Sequence, residues 1–140
     1  MKILGLDLGT KTLGMAISDS SNIIASFYKT IRHNEEYDFL ISEISDIIQK
    51  EQIQKIVLGY PKNMNNTLGP KALLTVEFKE NLEKKLNIEV ILEDERMTTV
   101  MANNMLIQGN VSRKKRKHTV DYVAATIILQ SYLDRLNFRK

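Results

Sequence analysis

The 140-residue chain has no cysteine, only two prolines and six glycines, and aromatic side chains make up just 6% of it. Without cysteine it can have no disulfide framework, no thiolate metal site and no cysteine nucleophile, which suits a reducing compartment. So little proline and glycine argues against a linker-rich or low-complexity chain, and no internal repeat recurs at solenoid periods. No stretch approaches the roughly 18 consecutive apolar residues of a membrane span. Asp7 comes too early for the apolar segment of a secretory signal to precede it. The expectation is one cytoplasmic globular domain over residues 1–140, out of contact with membranes, its 43% hydrophobic content sufficient for a core.

The formal net charge of +3 is modest, but its distribution is uneven. Arg113, Lys114, Lys115, Arg116 and Lys117 place five of the twenty basic side chains side by side, with His118 following. Such a run is either a solvated basic loop or a strip that holds phosphates, in which case each neutralised phosphate releases counterions and makes affinity salt-dependent. The scarcity of aromatic residues disfavours a platform for stacking bases, so shape and backbone recognition is expected in preference to sequence readout.

Two short apolar runs, residues 2 to 8 and 13 to 18, flank Gly9-Thr10-Lys11-Thr12 and predict two antiparallel strands with a tight turn. A third strand is predicted over 23 to 31 and an amphipathic helix over 37 to 49, where Leu40, Ile44, Ile47 and Ile48 recur at helical spacing. Ile56-Val57-Leu58 reads as a buried strand leading into a polar loop from Lys62 to Gly69. Pro70 suits the first turn of a second helix with Leu74, Phe78 and Leu82 inward. A strand over 88 to 92, a short helix from Thr98 or Thr99 to Gln108, and a long helix over 118 to 136 complete the order β-β-β-α-β-α-β-α-α. This predicts an α/β fold, a mixed five-stranded sheet whose first three strands are antiparallel and whose later strands are parallel, flanked by helices.

Three acidic positions stand out. Asp7 lies inside Ile3-Leu4-Gly5-Leu6-Asp7-Leu8, where a core strand would ordinarily carry another aliphatic residue, and burying an unpaired carboxylate costs several kcal/mol. Glu93-Asp94-Glu95 closes the strand over 88 to 92, and Asp121 lies one turn before Ala124 and Ala125 on the long helix. Each has an ordinary explanation: turn hydrogen bonds for Asp7, a solvated strand-to-helix loop for the triplet, a helix-dipole partner for Asp121. Together, two acids at strand ends and a third on a helix over the same sheet could converge, and converging carboxylates need cations between them. With no cysteine and two histidines lacking partners at metal-ligand spacing, the ions expected are hard ones, Mg²⁺ or Mn²⁺. A pair of them roughly 3.5–4 Å apart can drive phosphodiester hydrolysis. His33 and His118 are read as surface residues, His118 as an adjunct of the basic run.

Four segments then carry a resemblance: Leu6-Asp7-Leu8-Gly9-Thr10-Lys11 with Gly14; Gly59-Tyr60-Pro61 through Asn63-Met64 to Gly69-Pro70; Asp94-Glu95-Arg96-Met97-Thr98-Thr99; and Val120-Asp121 with Ala124-Ala125, followed by residues 128 to 133. In this order and spacing the chain resembles the YqgF family, also called RuvX, whose members are described as pre-16S rRNA nucleases and earlier as Holliday junction resolvases. The resemblance implies an RNase H-like fold, Mg²⁺ or Mn²⁺, and catalytic and metal-binding roles for Asp7, Glu95 and Asp121, with Asp94 in reserve for the middle position. Tyr60 departs from the family's usual leucine at a position expected to shape the loop. The implied substrate is structured RNA, the 5′ end of pre-16S rRNA, or else a four-way DNA junction, bound by a monomer or a homodimer without any small-molecule cofactor. Nucleic-acid contacts are expected from residues 113 to 117, Lys11 and Arg96, with Lys62, Thr10 and Thr98 as further candidates.

Two other classes compete. Asp7 to Thr12 with Gly14 also resembles the first phosphate hairpin of actin-like ATP-binding proteins, but those need two lobes and no second hairpin is visible. A non-catalytic RNA-binding assembly factor would have no reason to place carboxylates beside phosphates.

Overall fold

A computed structural model of the chain describes residues 1–9, 11–60, 69–94 and 113–138, with the backbone alone at 70, 94, 113–123 and 138. The elements are β1 (Lys2–Leu8), β2 (Thr12–Ser18), β3 (Ala25–Arg32), α1 (Tyr37–Glu51), β4 (Ile53–Tyr60), α2 (Pro70–Leu86), β5 (Glu89–Asp94) and α3 (Arg113–Phe138). They build a five-stranded sheet in the order β3-β2-β1-β4-β5. The β1–β2 and β2–β3 pairs are antiparallel, and β1–β4 and β4–β5 are parallel, as the alternation of strand and helix predicts.

β1 is central and buried on both faces, which is why it reads as an almost unbroken apolar run. Leu4, Leu6 and Leu8 enter a core with Leu40 and Ile44 of α1 and Phe78 and Leu82 of α2. Ile3, on the opposite face, joins Ala16, Val57 and the α3 residues Ala125, Ile128, Leu129 and Leu133. In this second core the small residues Ala16, Ala25 and Ala125 let helix and sheet come close, and Gly5 is the extreme case. A Cβ added there would come within 2.7 Å of the Leu129 Cβ and 3.3 Å of the Ala125 carbonyl oxygen. Glycine at this position lets the helix rest on the strand backbone.

Both α1 and α2 stop without glycine. Gln52 and Asn87 take the left-handed conformation, with φ of 56° and 51°, and their N–H groups donate to the carbonyls of Ile48 and Glu83. The inner face of α2 differs from the expected set. Ala72, Thr75, Phe78 and Leu82 are buried, whereas Leu74 is only partly so. The Thr75 hydroxyl donates to the Lys71 carbonyl at 2.9 Å, which satisfies it within the helix and admits a polar residue to the core side.

Two boundaries move in ways that bear on the site. β5 runs on through Glu93 and Asp94, two residues past the strand expected over 88–92. α3 begins at Arg113, so the basic run forms its first turns instead of a loop ahead of it. The helix expected over 98–108 lies outside the described residues. Among the described residues, no helix is long and apolar enough to cross a membrane.

Candidate catalytic site

Side chains alternate along a strand, so Asp7 shares the face of Ile3 and Gly5, the face on which α3 packs. It is half-buried at the end of β1. Its neighbours in the sheet give it room. Asp7 lies opposite Gly14 on β2, and the couple after Leu6 and Leu58 sets it beside Gly59 on β4. Neither neighbour has a side chain, so the carboxylate is flanked by bare backbone on both sides. The same row continues outward to Thr30, paired with Gly14, and to Glu93, paired with Gly59. Thr30 Oγ1 is buried and has no hydrogen-bond partner, a polar atom turned to an interior that offers it nothing.

Glu93 is the acid that strand register brings into the row of Asp7. It is 4% exposed, and an ion pair with Arg135 of α3 compensates its burial. Reading the Glu93-Asp94-Glu95 triplet as a solvated loop therefore fails at its first member. Nothing in the sequence pattern fixes the register of β5, and so nothing in it singles out Glu93.

The remaining predicted acids are placed unevenly. Asp121 lies within α3, one turn before Ala124 and Ala125, and Ala125 rests against Gly5, two residues before Asp7. The helix runs from there toward the opposite end of the sheet, where Gln130 accepts from Ala25 N–H and donates to the Ile23 carbonyl, and Asn137 donates to the Asn22 carbonyl. Its backbone thus approaches the Asp7 end as it is followed back toward residue 121. The side chains of Asp121 and Asp94 are not among those described, and Glu95 lies outside the described residues. Among the described residues, no group of three His, Asp or Glu side chains gathers into a metal-binding cluster.

The turn after Asp7 is braced by a residue that sequence reasoning assigned to the surface. His33 is buried, and its backbone N–H donates to the Lys11 carbonyl at 2.8 Å. The Glu35 N–H donates to Nδ1 at 3.0 Å, which leaves Nε2 as the protonated nitrogen, donating to the Gly9 carbonyl at 3.0 Å. A neutral imidazole thus ties the β1–β2 turn to the chain after β3. Its ring also contacts Tyr37, whose hydroxyl is pushed above its ordinary value of 10.0 by burial and by the Glu35 and Glu77 carboxylates. An isolated histidine in a polar stretch carries no sequence signal for such a role.

Lys11, at the turn, is exposed. Residues 113 to 117 occupy the first turns of α3, on the side of Asp121 away from Ala125, with side chains outside those described. Thr10, Lys62, Arg96 and Thr98 lie outside the described residues.

Comparison with known proteins gives this arrangement a context. A solved Thermus thermophilus RuvC in complex with a Holliday junction substrate aligns with 98% of this chain and 96% of its own, with a TM-score of 0.60 at 12% identity. The fowlpox virus resolvase, solved with Holliday junction DNA, aligns over 97% and 99% with a TM-score of 0.52 at 15% identity. At such identities the likeness concerns the fold, and it bears out the expected RNase H-like architecture. A Bacillus subtilis protein provisionally named a pre-16S rRNA nuclease is 52% identical over 138 residues, covering 98% of this chain and all of its own. A Bacillus cereus protein of the same name is 48% identical over 136 residues. The family model described as RuvX, Holliday junction resolvase, matches residues 1–135. Matched along nearly its whole length by family and relatives alike, the chain belongs to the RuvX family.

Proposed function

We propose that this chain is a divalent-metal-dependent nuclease of the cytoplasm that hydrolyses phosphodiester bonds at the 5′ end of pre-16S rRNA. Asp7, Glu95 and Asp121 are its acidic ligands. The observation that carries this reading is the placement of Asp7: a half-buried carboxylate at a strand end, flanked by Gly14 and Gly59, on the face closed by α3.

The surroundings suit a hard cation. Every candidate donor is an oxygen, the bare flanks leave space beside the carboxylate, and the buried Thr30 hydroxyl lacks a partner in the same row. The choice of Glu95 over Asp94 for the middle position follows the family resemblance of the Asp94-Glu95-Arg96 segment. Mg²⁺ or Mn²⁺ bound there, singly or as a pair, would supply Lewis-acid stabilisation of charge on the phosphodiester. The protein's own groups do the rest. α3 sets the spacing between Asp7 and Asp121 through its contact with Gly5, His33 fixes the turn that carries Lys11, and the basic start of α3 holds backbone phosphates beside the acids.

The test is cleavage of an RNA carrying the precursor 5′ end of 16S rRNA, with Mg²⁺ or Mn²⁺, by wild type, Asp7→Asn and Asp121→Asn. Each substitution should cost at least roughly 10- to 100-fold in rate, the loss expected even for groups that only support a metal ligand. Chelation should abolish cleavage and added metal should restore it. Equal activity in all three proteins would overturn the assignment. The family description and the shared RuvC fold favour one second reading, resolution of four-way DNA junctions. Paired symmetric cuts in such a junction by a dimer, with the RNA left intact, would replace the first reading.

A further inference from the structure

Between the β1–β2 turn and the start of α1 lies an open depression of about 600 Å³. Its lining includes Lys11, Arg32, His33, Asn34, Glu36 and Phe39, and the volume is within the range of small-ligand pockets. None of these residues belongs to the acidic set. We propose that this depression seats one nucleotide of the RNA strand on its way to Asp7, with Lys11 and Arg32 holding a phosphate and the Phe39 ring stacked on the base. The inference rests on the nuclease reading for the identity of the strand.

Three observations carry it. First, Lys11 and Arg32 are exposed, and among the described residues their charged side chains have no ion-pair or hydrogen-bond partner. Two cations face a single carboxylate, Glu36, so the depression favours an anion. Second, Phe39 stands on the first turn of α1 with 45% of its surface exposed, while the apolar residues around it, Leu40 and Ile41, are buried. An exposed ring beside unpaired cations matches the way single strands are held, with the backbone on positive charge and bases on aromatic faces. Third, the depression leads to the acid. Arg32 is two residues along β3 from Thr30, which stands in the row of Asp7, and Lys11 is on the turn that follows Asp7 directly. The Asn34 amide and the Glu36 carboxylate add a donor and acceptors within reach of a base edge.

Because the chain contains no tryptophan, Phe39→Trp places its only indole in the depression, and excitation at the long-wavelength edge of indole absorption separates it from the five tyrosines. Short single-stranded RNA, titrated in the presence of chelator so that nothing is cut, should quench that fluorescence. Anisotropy with labelled RNA should then separate the two contacts. Phe39→Ala should weaken binding by roughly 5- to 150-fold, the range for one base–aromatic stack, with the salt dependence unchanged. Arg32→Ala should lower affinity and flatten the log–log salt slope by about 0.7, as expected for one lost phosphate contact to a single strand. Both positions are exposed, and thermal unfolding of the variants should match wild type. Unaltered fluorescence of Phe39→Trp, together with wild-type affinity and slope in the two alanine variants, would overturn the subsite. Its failure and that of the nuclease reading are distinguishable: if wild type and both alanine variants cleave the RNA equally, the subsite falls and the nuclease stands. Binding that depends on Arg32 and Phe39 without any cleavage by wild type has the opposite meaning.

Discussion

Arg135 of α3 donates a hydrogen bond to Glu93 Oε2 at 2.5 Å, joining the helix to the outermost parallel strand. The Glu93 side chain is 5% exposed and that of Arg135 54%, so the pair is half in water and its worth is well below that of a fully buried one. Arg135→Met removes the cation and leaves a buried carboxylate with one partner fewer. A loss of about 1–2 kcal/mol in urea unfolding at neutral pH is expected. Glu93→Gln keeps the acceptor without the charge and should lose less. Equal stability of Arg135→Met and wild type would show that Glu93 does not need this partner.

Gly5 is expected to tolerate no side chain. The Cβ of alanine would fall 2.7 Å from the Leu129 Cβ, the atom fixed directly to the helix backbone and not the end of a flexible chain. Relief requires α3 to move, at about 1–3 kcal/mol. Movement there also alters the spacing between Asp7 and Asp121. Cleavage by Gly5→Ala should therefore fall at temperatures where the variant is still fully folded, as measured by circular dichroism alongside the rate. A variant that is destabilised but cuts normally when folded would separate packing from catalysis.

His33→Phe keeps the ring and its contact with Tyr37 but removes both ring hydrogen bonds, to the Gly9 carbonyl and from the Glu35 N–H. Two backbone groups lose their partners, at about 1–3 kcal/mol each if water cannot reach them. The turn carrying Lys11 should loosen. Amide hydrogen exchange at Gly9 and Glu35, whose N–H groups donate to the Thr12 carbonyl and to the imidazole, should quicken in the variant while exchange in β4 stays slow.

Asp19 offers a pH test. Its Oδ1 accepts from the Ile23 and Ile24 N–H groups at 2.8 and 3.1 Å, and these bonds hold the carboxyl below its ordinary value of 3.8. A depressed value means that the charged form favours the folded state. The contribution is complete above the unfolded value and disappears as pH falls through the lower, folded one. Asp19→Ala should accordingly be less stable than wild type at neutral pH, and the gap should close on acidification below pH 3.8. A gap independent of pH would assign the effect to the turn geometry alone.

Much of this architecture is legible in the chain because hydrophobic period and turn residues report it directly. The runs around Leu4 and Val57, the helical spacing of Leu40, Ile44 and Ile47, and Pro70 at a helix start all specify local structure through nearest neighbours. What depends on register is not legible. That Gly14 and Gly59 flank Asp7, that Thr30 and Glu93 share its row, and that His33 reaches Gly9 all follow from which residues come opposite one another across strands. A glycine selected to leave space reads the same as one selected for a turn. The start of α3 was misplaced for another reason: consecutive like charges suggest a solvated loop, although lysine and arginine are good helix formers.

The hold of α3 on the sheet has a consequence for how the protein comes into being. Gln130 and Ala25 are joined across 105 residues, and Asn137 and Asn22 across 115. By contrast, the β1–β2–β3 meander pairs neighbours and can form while synthesis is still under way. The proposed ligands Asp7 and Asp121 sit on the first and last of the described elements, so they can meet only after the final helix has docked. A chain still emerging from the ribosome would carry the acid of β1 without that of the last helix, so the proposed centre would be complete only once synthesis has ended.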